Sequence, residues 1–197
     1  MRPQWYCDAL PLIVGGDTGA SGPVLRNRML GLLHGVFSQR HGAFAVAFPG
    51  REQLAVLPLP LTGALRVFAS SREDMDWLAK NVISQPWFRD YARLSYPRAV
   101  PADFCGEWVR FIRYRVPSLS SDRHEGEEHG LLRRRRMETA RKAKMTYFIL
   151  RSAGTGQRFS LVVNREQGEP QREECTPNGY GFCVTSSPFS LPELPWA

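Results

Sequence analysis

The chain has 197 residues and a formal net charge of +7, which comes from 26 basic and 19 acidic side chains. Hydrophobic residues make up 43% of the chain, enough to bury a core and too many for a disordered protein. No apolar run reaches the roughly 18 residues of a membrane helix, and the N-terminal segment lacks the apolar stretch of a signal peptide. We therefore expect a cytoplasmic protein with no membrane partner.

The N-terminal half alternates between strand and helix patterns. An apolar strand is predicted over residues 5–10, and a helix with an apolar stripe at helical spacing begins near Pro23. Further strands are predicted over residues 43–48, 65–69 and 91–94, with a second helix before the last strand. Ser70 stands three residues before Glu73, which predicts the N-terminal cap of that second helix.

The predicted element order is β-α-β-β-α-β, which is typical of ferredoxin-like and RNA-recognition (RRM-like) folds. A proline-containing linker between residues 96 and 102 separates this half from the rest of the chain. We therefore predict an α+β fold with a ferredoxin-like domain over residues 1–98 and a smaller C-terminal domain over residues 99–197.

The C-terminal half is predicted to carry an arginine-rich helix and a β-hairpin. The predicted elements are a strand over 107–115, an acidic loop over 117–130, a helix over 131–145, hairpin strands over 146–150 and 159–163, and a last short strand over 180–184. Residues 131–151 hold eight basic side chains and one acidic one, so this window carries a charge of +7, equal to the net charge of the whole chain. A codon bias would spread arginines evenly, whereas such a cluster indicates a polyanion-binding element.

The histidines of the chain are His34, His41, His124 and His129. His34 lies on the first predicted helix, at the border between the apolar stripe and solvent. Imidazole is the side chain best suited to move protons near neutral pH, although the position of His34 alone favours a boundary histidine with one satisfied hydrogen bond. Carboxylates and cysteines at metal-ligand spacing are missing, so we expect no metal and no cofactor; RNA cleavage remains possible because RNA carries its own nucleophile, the 2′-hydroxyl.

Several short segments resemble, in order, those of one known family. The most specific is LRSAGTGQRF at residues 150–159, with Arg-Ser, Thr-Gly-Gln and Phe in register. The other matching segments are YCD at 6–8, LLH at 32–34, AVAFP at 45–49, GYG at 179–181 and PW at 195–196. Together they resemble the CRISPR-repeat endoribonuclease of type I-F systems, the Csy-type branch of the repeat-associated RNA-processing superfamily.

The resemblance implies a metal-independent endoribonuclease. Such an enzyme would bind the CRISPR repeat hairpin, cleave precursor CRISPR RNA by 2′-hydroxyl attack, and stay on the 3′ hairpin of the mature RNA. Its protein partners would be the other subunits of the type I-F surveillance complex, a Cascade-like assembly. The resemblance implies that His34 is the base, that Ser152 holds the ribose, and that Tyr180 orients the histidine or the substrate.

The resemblance also implies a set of RNA contacts. Phe159 would stack on the terminal base pair of the hairpin, although its alternation with apolar neighbours equally fits a core strand residue. Arg113 and Arg115 would contact base edges at the foot of the stem, and Arg115 stands where the family often has Gln. The remaining expected RNA-binding residues are Arg133, Arg134, Arg136, Arg141, Lys144 and Gln157.

Two other function classes fit the same features. The chain could be a non-catalytic RNA-hairpin-binding subunit of a ribonucleoprotein complex, with the same basic helix and a purely structural His34. It could also be a basic protein that binds DNA in a mobile-element complex. Cleavage of an RNA hairpin with and without a chelator distinguishes the enzyme from both alternatives.

Overall fold

A computed structural model describes residues 1–12, 22–57, 59–117, 127–152, 154–171 and 173–196. Most of the predicted acidic loop, with His124, lies outside these residues. The elements of the first half are β1 (Trp5–Pro11), α1 (Gly22–Phe37), β2 (Ala45–Ala47), α2 (Arg51–Leu54), α3 (Leu59–Thr62), β3 (Leu65–Ala69), α4 (Arg72–Ile83), α5 (Pro86–Tyr91), β4 (Ala92–Leu94) and β5 (Arg98–Ala99). Among the described helices, none has the length and apolarity needed to cross a bilayer.

The first sheet has the strand order β2-β3-β1-β4, and its paired strands run antiparallel. This order confirms the predicted ferredoxin-like arrangement. Strand β5 also pairs with β1, opposite Trp5 and Tyr6, so part of the predicted linker adds a strand to this sheet. The division of the chain into two domains at residues 98 and 99 stays a prediction.

The second sheet is formed by the C-terminal half. Its elements are β6 (Trp108–Tyr114), α6 (Glu127–Lys142), β7 (Thr146–Arg151), β8 (Arg158–Gly168) and β9 (Leu191–Pro192). The strand order is β7-β8-β6-β9, again antiparallel, and β7 and β8 form the predicted hairpin. The α+β class is therefore confirmed, with an arginine-rich helix inserted between β6 and β7.

One hydrophobic cluster joins the two sheets. Phe48, directly after β2, is fully buried and meets Phe111 and Phe148 of the second sheet edge to face, at ring-centroid distances of 4.8 and 5.4 Å. Phe182 lies 6.1 Å from the same ring. Such aromatic pairs add about 0.5–1.5 kcal/mol each beyond the area they bury. This aromatic packing holds the two sheets together.

Three predicted helix boundaries, one in α4 and two in α6, are wrong. The N-cap of α4 is Ser71, whose hydroxyl accepts a hydrogen bond from the Asp74 amide at 3.1 Å, because the hydroxyl of Ser70 instead accepts from the amide of Arg2 at 2.8 Å. Helix α6 begins at Glu127 rather than 131, so the end of the predicted loop is helical. It ends at Lys142 rather than 145, which leaves Lys144 beyond the helix.

The predicted strand over residues 180–184 is replaced by a turn. The side-chain oxygen of Asn178 accepts hydrogen bonds from the amides of Tyr180 at 2.8 Å and Phe182 at 3.3 Å. Gly181 has φ +81°, a left-handed conformation that favours glycine. Only Cys183 pairs with the sheet, through an isolated bridge to Ile112. The short polar side chain of Asn178 therefore outcompetes strand pairing at this position.

Candidate active site

The last turn of α1 places the half-buried His34 beside the turn that contains Gly179. Its Nδ1 lies 2.6 Å from the carbonyl oxygen of Gly179. A carbonyl oxygen can only accept, so Nδ1 carries the proton of this hydrogen bond. In the neutral ring the lone pair therefore lies on Nε2. The contact selects the tautomer in which Nε2 can accept a proton from a ligand.

Tyr180 packs flat against the His34 imidazole. The two ring centroids are 3.9 Å apart and the ring planes differ by 18°. Phe159, half-buried on β8, meets Tyr180 edge to face, with its ring centroid 6.4 Å from that of Tyr180. Burial raises the pKa of the Tyr180 phenol, and the positive charge of Arg113 opposes this shift in part, so the phenol stays neutral near pH 7. Three residues expected at the site thus form one continuous set of rings.

The turn that holds Gly179 is itself anchored to the first sheet. The amide of Val46, in the middle of β2, donates to the carbonyl of Gly181 at 2.8 Å. A Cβ at Gly181 would lie 2.6 Å from a methyl carbon of Val46, so only glycine fits there. A Cβ at Gly179 would lie 3.3 Å from Cε1 of His34. The backbone of this turn therefore serves as one wall of the imidazole site.

Ser152 begins the loop of the β7–β8 hairpin, and the loop is closed by hydrogen bonds to it. The amide of Ser152 donates to the carbonyl of Gln157, and the amide of Gly156 donates to the carbonyl of Ser152, both at 2.9 Å. The hydroxyl oxygen accepts from the amide of Thr155 at 3.3 Å. The hydroxyl keeps its own hydrogen for donation to a ligand. The side chain of Gln157 is exposed on this loop.

A groove of 750 Å³ separates α1 from the hairpin loop. Arg28 and Gly31 line it from α1, and Ser152 and Arg158 line it from the hairpin. His34 does not line this groove but lies one helical turn beyond Gly31. Sequence reasoning missed Arg28 and Arg158: the first lies outside the apolar stripe of α1, and the second is next to the matched residue Phe159. The groove gives a basic path that leads toward the imidazole.

A second groove, of 570 Å³, brings the predicted base-reading residues to the arginine-rich helix. Arg113 and Arg115 line it together with Arg136 of α6. Arg136 donates to the carbonyl of Arg115 at 2.7 Å, and Arg133 donates to the carbonyl of Pro117. These two arginines therefore fix the helix to the end of β6.

Three other predicted phosphate-binding residues have a different environment. Arg134 and Arg141 are exposed on α6, and the exposed Lys144 lies past the helix end. Arg133 and Arg136 thus hold the helix to the end of β6. The other three, Arg134, Arg141 and Lys144, are accessible. Within the described ranges, no three His, Cys, Asp or Glu side chains are grouped as a metal site would require.

Comparison with known proteins gives one family. A family model described as CRISPR-associated protein (Cas_Csy4) matches residues 14–193. Curated protein sequences contain no significant match.

Solved structures of similar fold share little sequence with the chain. An RAMP protein binding different RNA substrates is 14% identical over 92% of this chain and 97% of that chain, with a TM-score of 0.37. Thermus thermophilus Cse3, bound to an RNA representing a pre-cleavage complex, is 9% identical over 96% and 100%, with a TM-score of 0.37. The product of a Cas6-related gene from Pyrococcus furiosus is 12% identical over 97% and 99%, with a TM-score of 0.36. The assignment of the chain therefore rests on the family match.

Proposed function

Because the chain belongs to the Cas_Csy4 family of CRISPR-associated proteins, we propose that it cleaves precursor CRISPR RNA at the repeat hairpin without a metal ion or other cofactor. Family membership supports the coarser assignment, an RNA-binding endoribonuclease of CRISPR RNA processing. In the full proposal the protein acts in the cytoplasm, remains on the 3′ hairpin of its product, and becomes a subunit of the type I-F surveillance complex.

The observation that carries the proposal is the 2.6 Å hydrogen bond from Nδ1 of His34 to Gly179. With Nδ1 protonated, Nε2 removes the proton of the 2′-hydroxyl at the scissile nucleotide. The 2′ oxygen then attacks the adjacent phosphorus, and the bond from phosphorus to the 5′ oxygen breaks. The 5′ oxygen takes up one proton, so the products are a 2′,3′-cyclic phosphate and a 5′-hydroxyl. Base and nucleophile are thus both supplied without a metal.

Neighbouring side chains position the reacting groups. Tyr180 holds the plane of the imidazole through its stacking at 3.9 Å. Ser152 donates its hydroxyl hydrogen to the ribose, since its oxygen already accepts from the Thr155 amide. The guanidinium groups of Arg28 and Arg158 neutralise phosphates of the strand that lies in the groove of 750 Å³.

The hairpin is held by the second sheet and α6. Phe159 stacks on the terminal base pair, next to the imidazole, because its ring is half-buried against Tyr180 and keeps an accessible portion. Arg113 and Arg115 contact base edges at the foot of the stem. The accessible basic residues of the helix and its end, with Gln157, bind the phosphates, since the A-form major groove is too narrow for side chains to read along its length. These accessible basic residues are Arg134 and Arg141 on α6 and Lys144 past its end.

Two substrates and a chelator test the reaction. A repeat hairpin with a single 2′-deoxy substitution at the scissile nucleotide should bind with unchanged affinity and remain uncut, whereas the all-RNA hairpin should be cut equally well with and without EDTA. Cleavage of the deoxy hairpin, or loss of cleavage in EDTA, would reject the mechanism. Binding of both hairpins with cleavage of neither would instead favour the non-catalytic RNA-binding subunit, in which the bond to Gly179 is only structural.

A further inference from the structure

Arg26 of α1 is a buried charge without a matching anion. Its residue is 8% exposed, its Nε has no hydrogen-bond partner, and no described carboxylate forms an ion pair with it. The guanidinium lies over the ring of Phe148 at 4.8 Å and near that of Phe48 at 5.9 Å. Burial lowers the pKa of Arg26. Cation–π contacts with two rings return only part of the cost of removing an ion from water.

Arg26 lines a cavity of 240 Å³ between α1, the end of α6 and the start of β7. Arg141 and Lys144 line the same cavity, and so do Thr146 and Tyr147 at the start of β7. The remaining lining residues are apolar, so three cationic residues line one space without a carboxylate among them. A water molecule occupies roughly 30 Å³, so this volume admits a group as large as phosphate. Such a concentration of positive charge attracts anions.

The end of α6 is closed by backbone hydrogen bonds that satisfy two of its terminal carbonyl groups. The amide of Met145 donates to the carbonyl of Ala140 at 2.9 Å, and that of Lys144 donates to the carbonyl of Arg141 at 3.1 Å. This pattern is the Schellman motif, in which the residue at Lys144 is usually glycine. Lys144 has φ +51°, a conformation that costs free energy for a side chain other than glycine. The nearest acid on α6, Glu138, is paired with Lys142 at 2.8 Å.

We propose that this cavity, the Arg26 cavity, binds a phosphate group. The site is separate from the groove beside His34, because the two share no lining residue. The phosphate supplies the anion that Arg26 lacks and is attracted also by the charges of Arg141 and Lys144. The same chemistry is presented by a backbone phosphate of bound RNA and by free inorganic phosphate.

Thermal unfolding with inorganic phosphate tests the site directly. The variant Arg26→Met removes the charge and keeps an apolar side chain between the rings, while Arg89→Met makes the same change at an exposed position of α5. At a phosphate concentration a hundred times its Kd, with ionic strength held constant by KCl, the wild-type Tm should rise by about 5–10 °C. Arg89→Met should respond equally, and Arg26→Met should not respond. Arg141→Met, which changes only an exposed cavity residue, should also weaken the response.

Hairpin affinity distinguishes the two sources of phosphate. If the occupant is an RNA phosphate, Arg26→Met weakens hairpin binding about tenfold relative to Arg89→Met and reduces the slope of log K against log salt by about 0.7–0.9. If it is free phosphate, hairpin affinity is equal in the two variants and only the Tm response differs. Equal behaviour of the two variants in both measurements would overturn the proposal. Neither measurement reads cleavage, so failure of the proposed reaction would leave these results unaffected.

Discussion

Gly179→Ala perturbs the candidate base without removing it. The added methyl group would lie 3.3 Å from Cε1 and 3.5 Å from Nδ1 of His34. The imidazole must move by a few tenths of an ångström, which disturbs its hydrogen bond to the carbonyl at 2.6 Å and its stacking on the Tyr180 ring at 3.9 Å. A displacement of about 1 Å at a reacting group can cost 10²-fold in rate, so we expect a loss of about tenfold. The free energy of unfolding should fall by only about 0.5–1.5 kcal/mol, the cost of a small side-chain displacement.

Single-turnover cleavage of the repeat hairpin measures the effect, with hairpin Kd and urea unfolding as controls. Gly35→Ala is the matched variant, because a Cβ at Gly35 meets nothing within 4 Å although the residue adjoins His34 in α1. It should cleave at the wild-type rate and gain up to about 1 kcal/mol of stability from its higher helix propensity. Wild-type cleavage by Gly179→Ala would show that the turn does not position the imidazole, and an equal loss in Gly35→Ala would refute the steric reasoning.

Four further substitutions test other parts of the structure. Arg66→Met breaks the buried ion pair with Asp8, whose atoms lie 2.6 Å apart, and should cost about 3–5 kcal/mol in urea unfolding; a loss below about 1 kcal/mol would contradict this. Lys144→Gly places glycine at a left-handed backbone position, which removes the cost that a side chain adds there, and should raise Tm by about 2–4 °C. A lower Tm would contradict this. Arg134→Ala should reduce the slope of log K against log salt for hairpin binding by about 0.7–0.9, whatever the stem sequence. Arg113→Ala should instead reduce the discrimination between base pairs by about 1–3 kcal/mol. Equal losses of affinity on cognate and stem-swapped hairpins for Arg113→Ala would show that Arg113 does not contact base edges.

Local periodicity accounts for most of the first sheet and its helices. The sequence predicts an apolar stripe of Leu25, Met29, Leu32, Leu33 and Val36 on α1. All of these are buried except Leu32, which is half-buried, because one face of α1 must cover the sheet. Once the strands and helices are identified in order, few topologies remain, and the ferredoxin-like one is among them. The arginine-rich helix was also predictable, although the acidic residues of its first turn were assigned to the preceding loop.

Contacts between distant parts of the chain were not predictable in this way. The hydrogen bond from His34 to Gly179 joins residues 145 positions apart, and no pattern in either segment indicates it. The turn at Asn178 depends on one side chain that competes with a strand of suitable composition. Arg26 interrupts the apolar face of α1, and its environment becomes visible only when Phe148 and the end of α6 are packed against it. The expectation that Tyr180 orients His34 or the substrate came from the family resemblance and not from local patterns in the sequence.

The proposed reaction requires that Nε2 of His34 removes the proton of the 2′-hydroxyl. It is tested most directly by the single-turnover cleavage rate of His34→Ala on the repeat hairpin in EDTA, with hairpin Kd measured alongside. We expect a rate lower by about 10²–10⁴-fold and a Kd within about twofold of wild type, because the imidazole acts on the reaction and not on the stem. Cleavage by His34→Ala at the wild-type rate would contradict it.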